Sequence, residues 1–144
     1  MPENSFRSFY AESVEFCERL VCDVTLFNGC KSKQFTAIWD TGAMTTNISN
    51  NVVEFFGLVP IGTMKLGSIY ATQIRPKYEI GVELPGGFRY CDLCVVGVEE
   101  IARNIDVIIG MDIISVGDFA VSNYNGKTSF SFRFPSQGPI DLTK

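Results

Sequence analysis

Histidine is absent from this chain of 144 residues, and that absence removes more chemistry than any other feature of its composition. Without imidazole there can be no Ser-His-Asp or Cys-His catalysis, and no zinc site that needs a histidine ligand. Positive charge is also scarce. Lys and Arg total 12 against 16 Asp and Glu, a net charge of −4. That balance leaves no electrostatic footprint for nucleic acid or an anionic membrane, and the pairs Lys31/Lys33 and Arg75/Lys77 read as solvated faces. Long apolar runs are missing too: nowhere do about 18 apolar residues follow one another, and Met1 to Arg7 hold no apolar core of signal-peptide length. The expectation is a soluble, cytoplasmic protein without nucleic-acid or membrane partners.

Cysteine is present but uninformative. Cys17, Cys22, Cys30, Cys91 and Cys94 are odd in number and lack a secretory context, so reduced, mostly buried thiols are expected. Cys91-x-x-Cys94 invites a metal or redox reading, but it falls in the strand-like run Phe88 to Val96, where residues three apart point to opposite faces. No metal site and no cofactor are expected.

What the chain does have is core material. Hydrophobic residues make up 46% and Phe numbers 12, enough for one domain over residues 1–134 followed by a tail over 135–144, where Pro135-Ser136-Gln137-Gly138-Pro139 changes the composition. Most of that domain reads as short strands. Val21 to Phe27 leads through Asn28-Gly29, a hairpin signal, into Lys33 to Trp39. Ser49 is placed to cap a short helix over residues 50–56 that Gly57 closes. Thr63 to Ile69 and Thr72 to Leu84 form a long hairpin, and Pro85-Gly86-Gly87 turns into Phe88 to Val96. A polar, helix-compatible stretch at Glu99 to Asn104 precedes Val107 to Gly110 and a short helix from Met111 to about Ser115. Phe119 to Ser122 and Ser129 to Phe134 flank Tyr124-Asn125-Gly126, with Phe130, Phe132 and Phe134 on one face. These elements predict a mainly β protein, a small closed barrel with one or two short helices.

The chemistry concentrates at one carboxylate. Thr36-Ala37-Ile38-Trp39 delivers Asp40 onto the turn Thr41-Gly42-Ala43, where glycine allows a sharp bend and threonine can bond the turn. A turn-capping aspartate would need no more than this. Hydrolysis of an amide by water needs a second group, because one must accept a proton while the other is protonated, and no second Asp-Thr-Gly occurs.

The stretch Ala37 to Ala43, followed about 65 residues later by Asp106-Val107-Ile108-Ile109-Gly110-Met111-Asp112-Ile113-Ile114, resembles the retropepsin-like aspartic proteases in motif and order. The resemblance spans roughly Leu20 to Phe134. It implies an aspartic endopeptidase acting on polypeptide as a homodimer, with Asp40 of each chain supplying half of a proton-sharing pair and activity at mildly acidic to neutral pH. It further implies that Thr41 interlocks the two active-site loops, that Gly42 is where backbone meets substrate, and that Ala43, Gly110 and Asp112 support the loop. The hairpin tip at Gly67, Ser68, Ile69, Tyr70 and Ala71 would be the flap that closes on substrate. Two positions depart from the family pattern. Met44 and Met111 stand where retroviral members usually carry an acidic and a basic residue. The alternative reading is a dimeric peptide-binding or scaffold module with the same fold and no turnover. A weaker one is a thiol or metal protein built on Cys91 and Cys94.

Overall fold

A computed structural model describes residues 6–67 and 70–144. The described residues form ten strands and two short helices, in the order β1 (Arg7–Glu12), β2 (Val21–Asn28), β3 (Lys31–Trp39), β4 (Asn47–Ile48), α1 (Asn50–Phe56), β5 (Gly62–Gly67), β6 (Thr72–Glu83), β7 (Arg89–Gly97), β8 (Val107–Ile109), α2 (Met111–Ile114), β9 (Asp118–Ser122) and β10 (Ser129–Phe134).

Six strands close on themselves. The order β2-β3-β8-β4-β7-β6 is completed by pairing of β2 with β6 through Thr25↔Glu83, Leu26↔Val82 and Phe27↔Gly81, so the barrel has no open edge within that ring. The mainly β, closed-barrel expectation is met. β5 lies outside the ring and, among the described residues, pairs with β6 alone. Alternation supplies the interior: Val24, Leu26, Ala37, Val82, Val95, Val107 and Ile109 are buried, with Ile48 and Val52 beneath them.

A separate antiparallel sheet, β1-β10-β9, packs on the barrel through aromatic rings. Trp39 lies 5.3 Å from Phe119, 5.5 Å from Phe9, 5.8 Å from Phe130 and 5.3 Å from Phe132, and is only 4% exposed. The tryptophan and the Phe130/Phe132 face therefore serve as core. Among the described residues no helix is long and apolar enough to cross a membrane.

Several local readings are corrected. Strand β1 was not foreseen. The stretch Glu99 to Asn104 is not helical; an isolated bridge Ala102↔Ile105 closes a turn there instead. Ser49 occupies the N-cap position of α1, but its hydroxyl donates to Asp106 at 2.7 Å rather than back to the helix. The thiols are not mostly buried: Cys30, Cys91 and Cys94 are exposed and the other two half-buried, all unpaired. Asp92, at φ 55°, breaks the alternation between Cys91 and Cys94, so both are exposed where an unbroken strand would have turned one inward.

Candidate active site

Strand β3 ends at Trp39, and the chain leaves the barrel at Asp40. Three hydrogen bonds fix the departure. The Asp40 N–H donates to the Ile109 carbonyl at 2.9 Å, the Gly42 N–H to the Asp40 Oδ1 at 2.8 Å, and the Ala43 N–H to the Asp40 carbonyl at 3.2 Å. The carboxylate thus sits on a tight turn, exposed to solvent, while the residue before it is locked in the core. Cys22 contributes to that lock: its Sγ accepts the Trp39 indole N–H at 3.2 Å. Burial pushes the Cys22 thiol up to about 11, against the opposing pull of that bond, with the Asp23 charge adding to the rise.

The second motif grips the same loop from below. Strand β8 runs parallel to β3, with Ala37↔Val107, Ile38↔Ile108 and Trp39↔Ile109 in register, so both motifs end at one level of the barrel. Gly110 follows directly, and a Cβ on it would lie 2.6 Å from the Thr45 carbonyl oxygen and 2.9 Å from that of Ala43. Only glycine permits that approach. The loops are then joined by Met111 N–H to the Ala43 carbonyl at 2.7 Å and Asp112 N–H to the Met44 carbonyl at 3.2 Å.

Asp112 is the clamp. Its carboxylate accepts the Thr46 N–H at 2.8 Å, the Thr46 hydroxyl at 2.8 Å and the Ile113 N–H at 2.9 Å. Thr46 is fully buried and its Oγ1 also accepts the Gly110 N–H at 3.3 Å, so one threonine ties the Asp40 loop to the start of α2. Sequence reading missed Thr46 altogether; nothing in Thr45-Thr46 distinguishes it from a surface pair. Asp106 holds a neighbouring junction, accepting from Ser49 at 2.7 Å and Asn51 at 3.1 Å.

Asp40, Gly42, Ala43, Gly110 and Asp112 are therefore brought into one bonded unit, with Thr41 exposed at the turn. The hairpin is a separate element. Gly67 ends β5 opposite Thr72, Tyr70 and Ala71 are exposed, and Ser68 and Ile69 lie outside the described residues. Met44 and Met111 are side by side in backbone and both exposed, at 79% and 38%. The described residues contain no group of three or more Cys, Asp or Glu placed to hold a metal ion.

No family model matches the chain, and no curated protein matches it in sequence. Solved structures do. The fold is similar to the solution structure of the protease of simian foamy virus (mac), at 17% identity and a TM-score of 0.50, over 67% of this chain and 92% of that one. It is also similar to the crystal structure of a retropepsin-like aspartic protease from Rickettsia conorii, at 9% identity and a TM-score of 0.51, over 92% of this chain and 98% of that one. At these identities the likeness is one of fold.

Proposed function

We propose that the chain is an aspartic endopeptidase whose active form is a homodimer. The observation that carries this reading is the Asp40 turn: an exposed carboxylate on a backbone held rigid by Ile109 behind it and by the Gly110/Asp112 clamp below it. A merely turn-capping aspartate would not need a second motif dedicated to its loop. The fold likeness to two proteases supports the same class.

In this reading Asp40 of each copy meets the other across a twofold axis. Two carboxyls in contact do not both ionise, so they hold one proton between them. The ionised member takes a proton from water as the water oxygen bonds to the scissile carbonyl carbon, and the protonated member gives its proton to the carbonyl oxygen. Collapse of the resulting diol breaks the C–N bond as the amine nitrogen receives a proton from the pair. Thr41 would interlock the two loops, Gly42 would meet the substrate backbone, and the β5–β6 hairpin with its tip at residues 67–71 would exclude water. The substrate is an extended polypeptide, and the mechanism calls for no metal or cofactor.

The test is peptide-library cleavage by purified protein over a range of concentrations, native against Asp40→Asn. Cleavage that rises faster than linearly with dilute protein and disappears in the variant supports the reading. Cleavage surviving Asp40→Asn would falsify it, and peptide binding without any Asp40-dependent hydrolysis would favour the scaffold alternative.

A further inference from the structure

We propose that a cavity beside the turn at 85–87 binds a small carboxylate with an aromatic or acyl body, at a site separate from Asp40.

The cavity has a volume of about 490 Å³, within the range that small-molecule ligands occupy. Its apolar walls are Phe88, Tyr90, Val116 and Phe134. Phe88 is core, and its ring meets Phe134 at 4.9 Å and Tyr90 at 6.3 Å. Phe134, Tyr90 and Val116 are only half-buried, so apolar surface remains for a ligand to cover. No residue of the cavity belongs to the Asp40 turn, to the Gly110/Asp112 clamp or to the β5–β6 hairpin.

Charge selects the ligand. Arg7 and Arg89 both line the cavity, and among the described residues lining it there is no Asp or Glu, in a chain whose net charge is −4. The two arginines come from different parts of the fold: Arg7 opens β1 opposite Phe134, and Arg89 opens β7 opposite Glu83. Both are short of strong partners. Glu83 stands 3.8 Å from the Arg89 Nε, beyond hydrogen-bond length, and the pair is exposed to water at 54% and 39%. What holds the Arg89 guanidinium is the face of Phe27, 4.2 Å away, a contact that uses none of its N–H donors. Arg7 donates to the carbonyl of its own neighbour Phe6, at a long 3.4 Å.

Gly87 makes the arrangement possible. At φ 89° it carries the turn past Arg7, and a Cβ there would stand 3.4 Å from the Arg7 Nε and 3.6 Å from its Cδ. A side chain at 87 would extend into the space where Arg7 lies. The result is a pair of planar, permanently charged forks beside aromatic and aliphatic walls, and guanidinium pairs with carboxylate through two parallel hydrogen bonds. An inorganic anion would leave the walls wet. A neutral apolar ligand would leave both guanidiniums without a counter-charge. A carboxylate on an apolar body satisfies both.

The cavity also contains its own reporter. Cys91 lines it and is exposed, while Cys30 and Cys94 are exposed and lie outside it. A bound ligand therefore shields one thiol of the three.

The experiment titrates phenylbutyrate into the full chain at neutral pH and follows binding by calorimetry, with phenylbutyramide as the uncharged isostere and inorganic phosphate as the bare anion. Iodoacetamide labelling mapped by mass spectrometry is run on the same native protein. The expected result is phenylbutyrate binding about tenfold or more tighter than either control, and slower labelling of Cys91 with Cys30 and Cys94 unchanged. Arg7→Gln combined with Arg89→Gln should weaken binding about tenfold or more, whereas Lys127→Gln, which removes an exposed charge elsewhere, should not. Amide binding as tight as carboxylate, equal protection of all three thiols, no binding by the native chain, or full binding by the double variant would each overturn the site. Binding lost as the protein self-associates would show that a second copy fills the cavity, and overturns it as well. The native-protein readouts decide the matter even if the double variant does not fold. Peptide cleavage enters none of these outcomes, so failure here leaves the protease reading standing.

Discussion

Removing the Asp112 carboxylate isolates the clamp from everything else the site does. In Asp112→Ala the Thr46 N–H and hydroxyl, each now bonded at 2.8 Å, lose their acceptor inside a residue with no solvent exposure. Water does not reach them to compensate. Each stranded donor costs about 1 to 3 kcal/mol, while the Ile113 N–H retains the Gly110 carbonyl at 3.2 Å, so the whole change is worth about 3 kcal/mol. Unfolding entropy near 2.1 cal/mol/K per residue gives about 0.3 kcal/mol/K for a chain of 144, and the melting temperature should fall by about 10 °C.

The isosteric change sharpens the test. In Asp112→Asn the amide NH2 must replace either the oxygen facing the Thr46 N–H or the one facing the Thr46 hydroxyl and Ile113 N–H, so a donor meets a donor in both orientations. A loss of about 2 kcal/mol is expected. Asp106→Asn is the comparison: Ser49 and Asn51 share its Oδ1, which an asparagine oxygen replaces, so the cost should stay under about 1 kcal/mol. Thermal unfolding followed by circular dichroism reads all three. An Asp112→Asn protein melting within about 2 °C of native would refute the clamp.

Gly110→Ala should be at least as damaging as Asp112→Asn, since its methyl would stand 2.6 Å from the Thr45 carbonyl; a melting curve unchanged from native would show that the loops part easily. Cys22 should alkylate far more slowly than Cys30, Cys91 and Cys94 at pH 8, because its thiol is raised to about 11 by burial; mass-spectrometric mapping of iodoacetamide adducts checks the order. Asp118 is held down to about 2 by its bonds to Ser136, Gln137 and Arg133. With the folded value lower than the unfolded, the anchoring of the C-terminal segment is fully present above about pH 4 and fades as pH falls toward 2. Hydrogen exchange at residues 136–138 should rise over that window, and Asp118→Asn should show the high-exchange state at every pH.

Most strands were legible because their signals are local. Alternation in Val21 to Phe27 and Lys33 to Trp39, the Asn28-Gly29 turn and the Phe130/Phe132 stripe each name a strand without reference to any other part of the chain. Strand β1 was not, because Arg7 to Glu12 is short and polar and becomes a strand only by pairing with β10 more than a hundred residues away. The carboxylates divide in the same way. Asp40 and Asp112 stand in recognisable patterns, whereas Thr46 acquires its role from a partner 66 residues distant. Ser49 was legible in position and not in bonding: a cap position is local, but Asp106 outcompetes the helix for its hydroxyl. Cys91 and Cys94 misled because one left-handed residue, Asp92, shifts the parity of a strand and is invisible in an alternation count.

These differences bear on how the site would work. Asp112 and Asp106 bond to side-chain or backbone donors of distant segments, while among the described residues the Asp40 carboxylate accepts from the neighbouring Gly42 N–H alone. The protein surrounds that turn with rigid backbone and leaves the carboxylate in solvent. On the proposed reading its chemistry appears only on contact with a second Asp40, so catalysis and dimer formation share one equilibrium. Dilution should then abolish activity while leaving the barrel, its melting behaviour as a monomer and the Asp112 clamp intact.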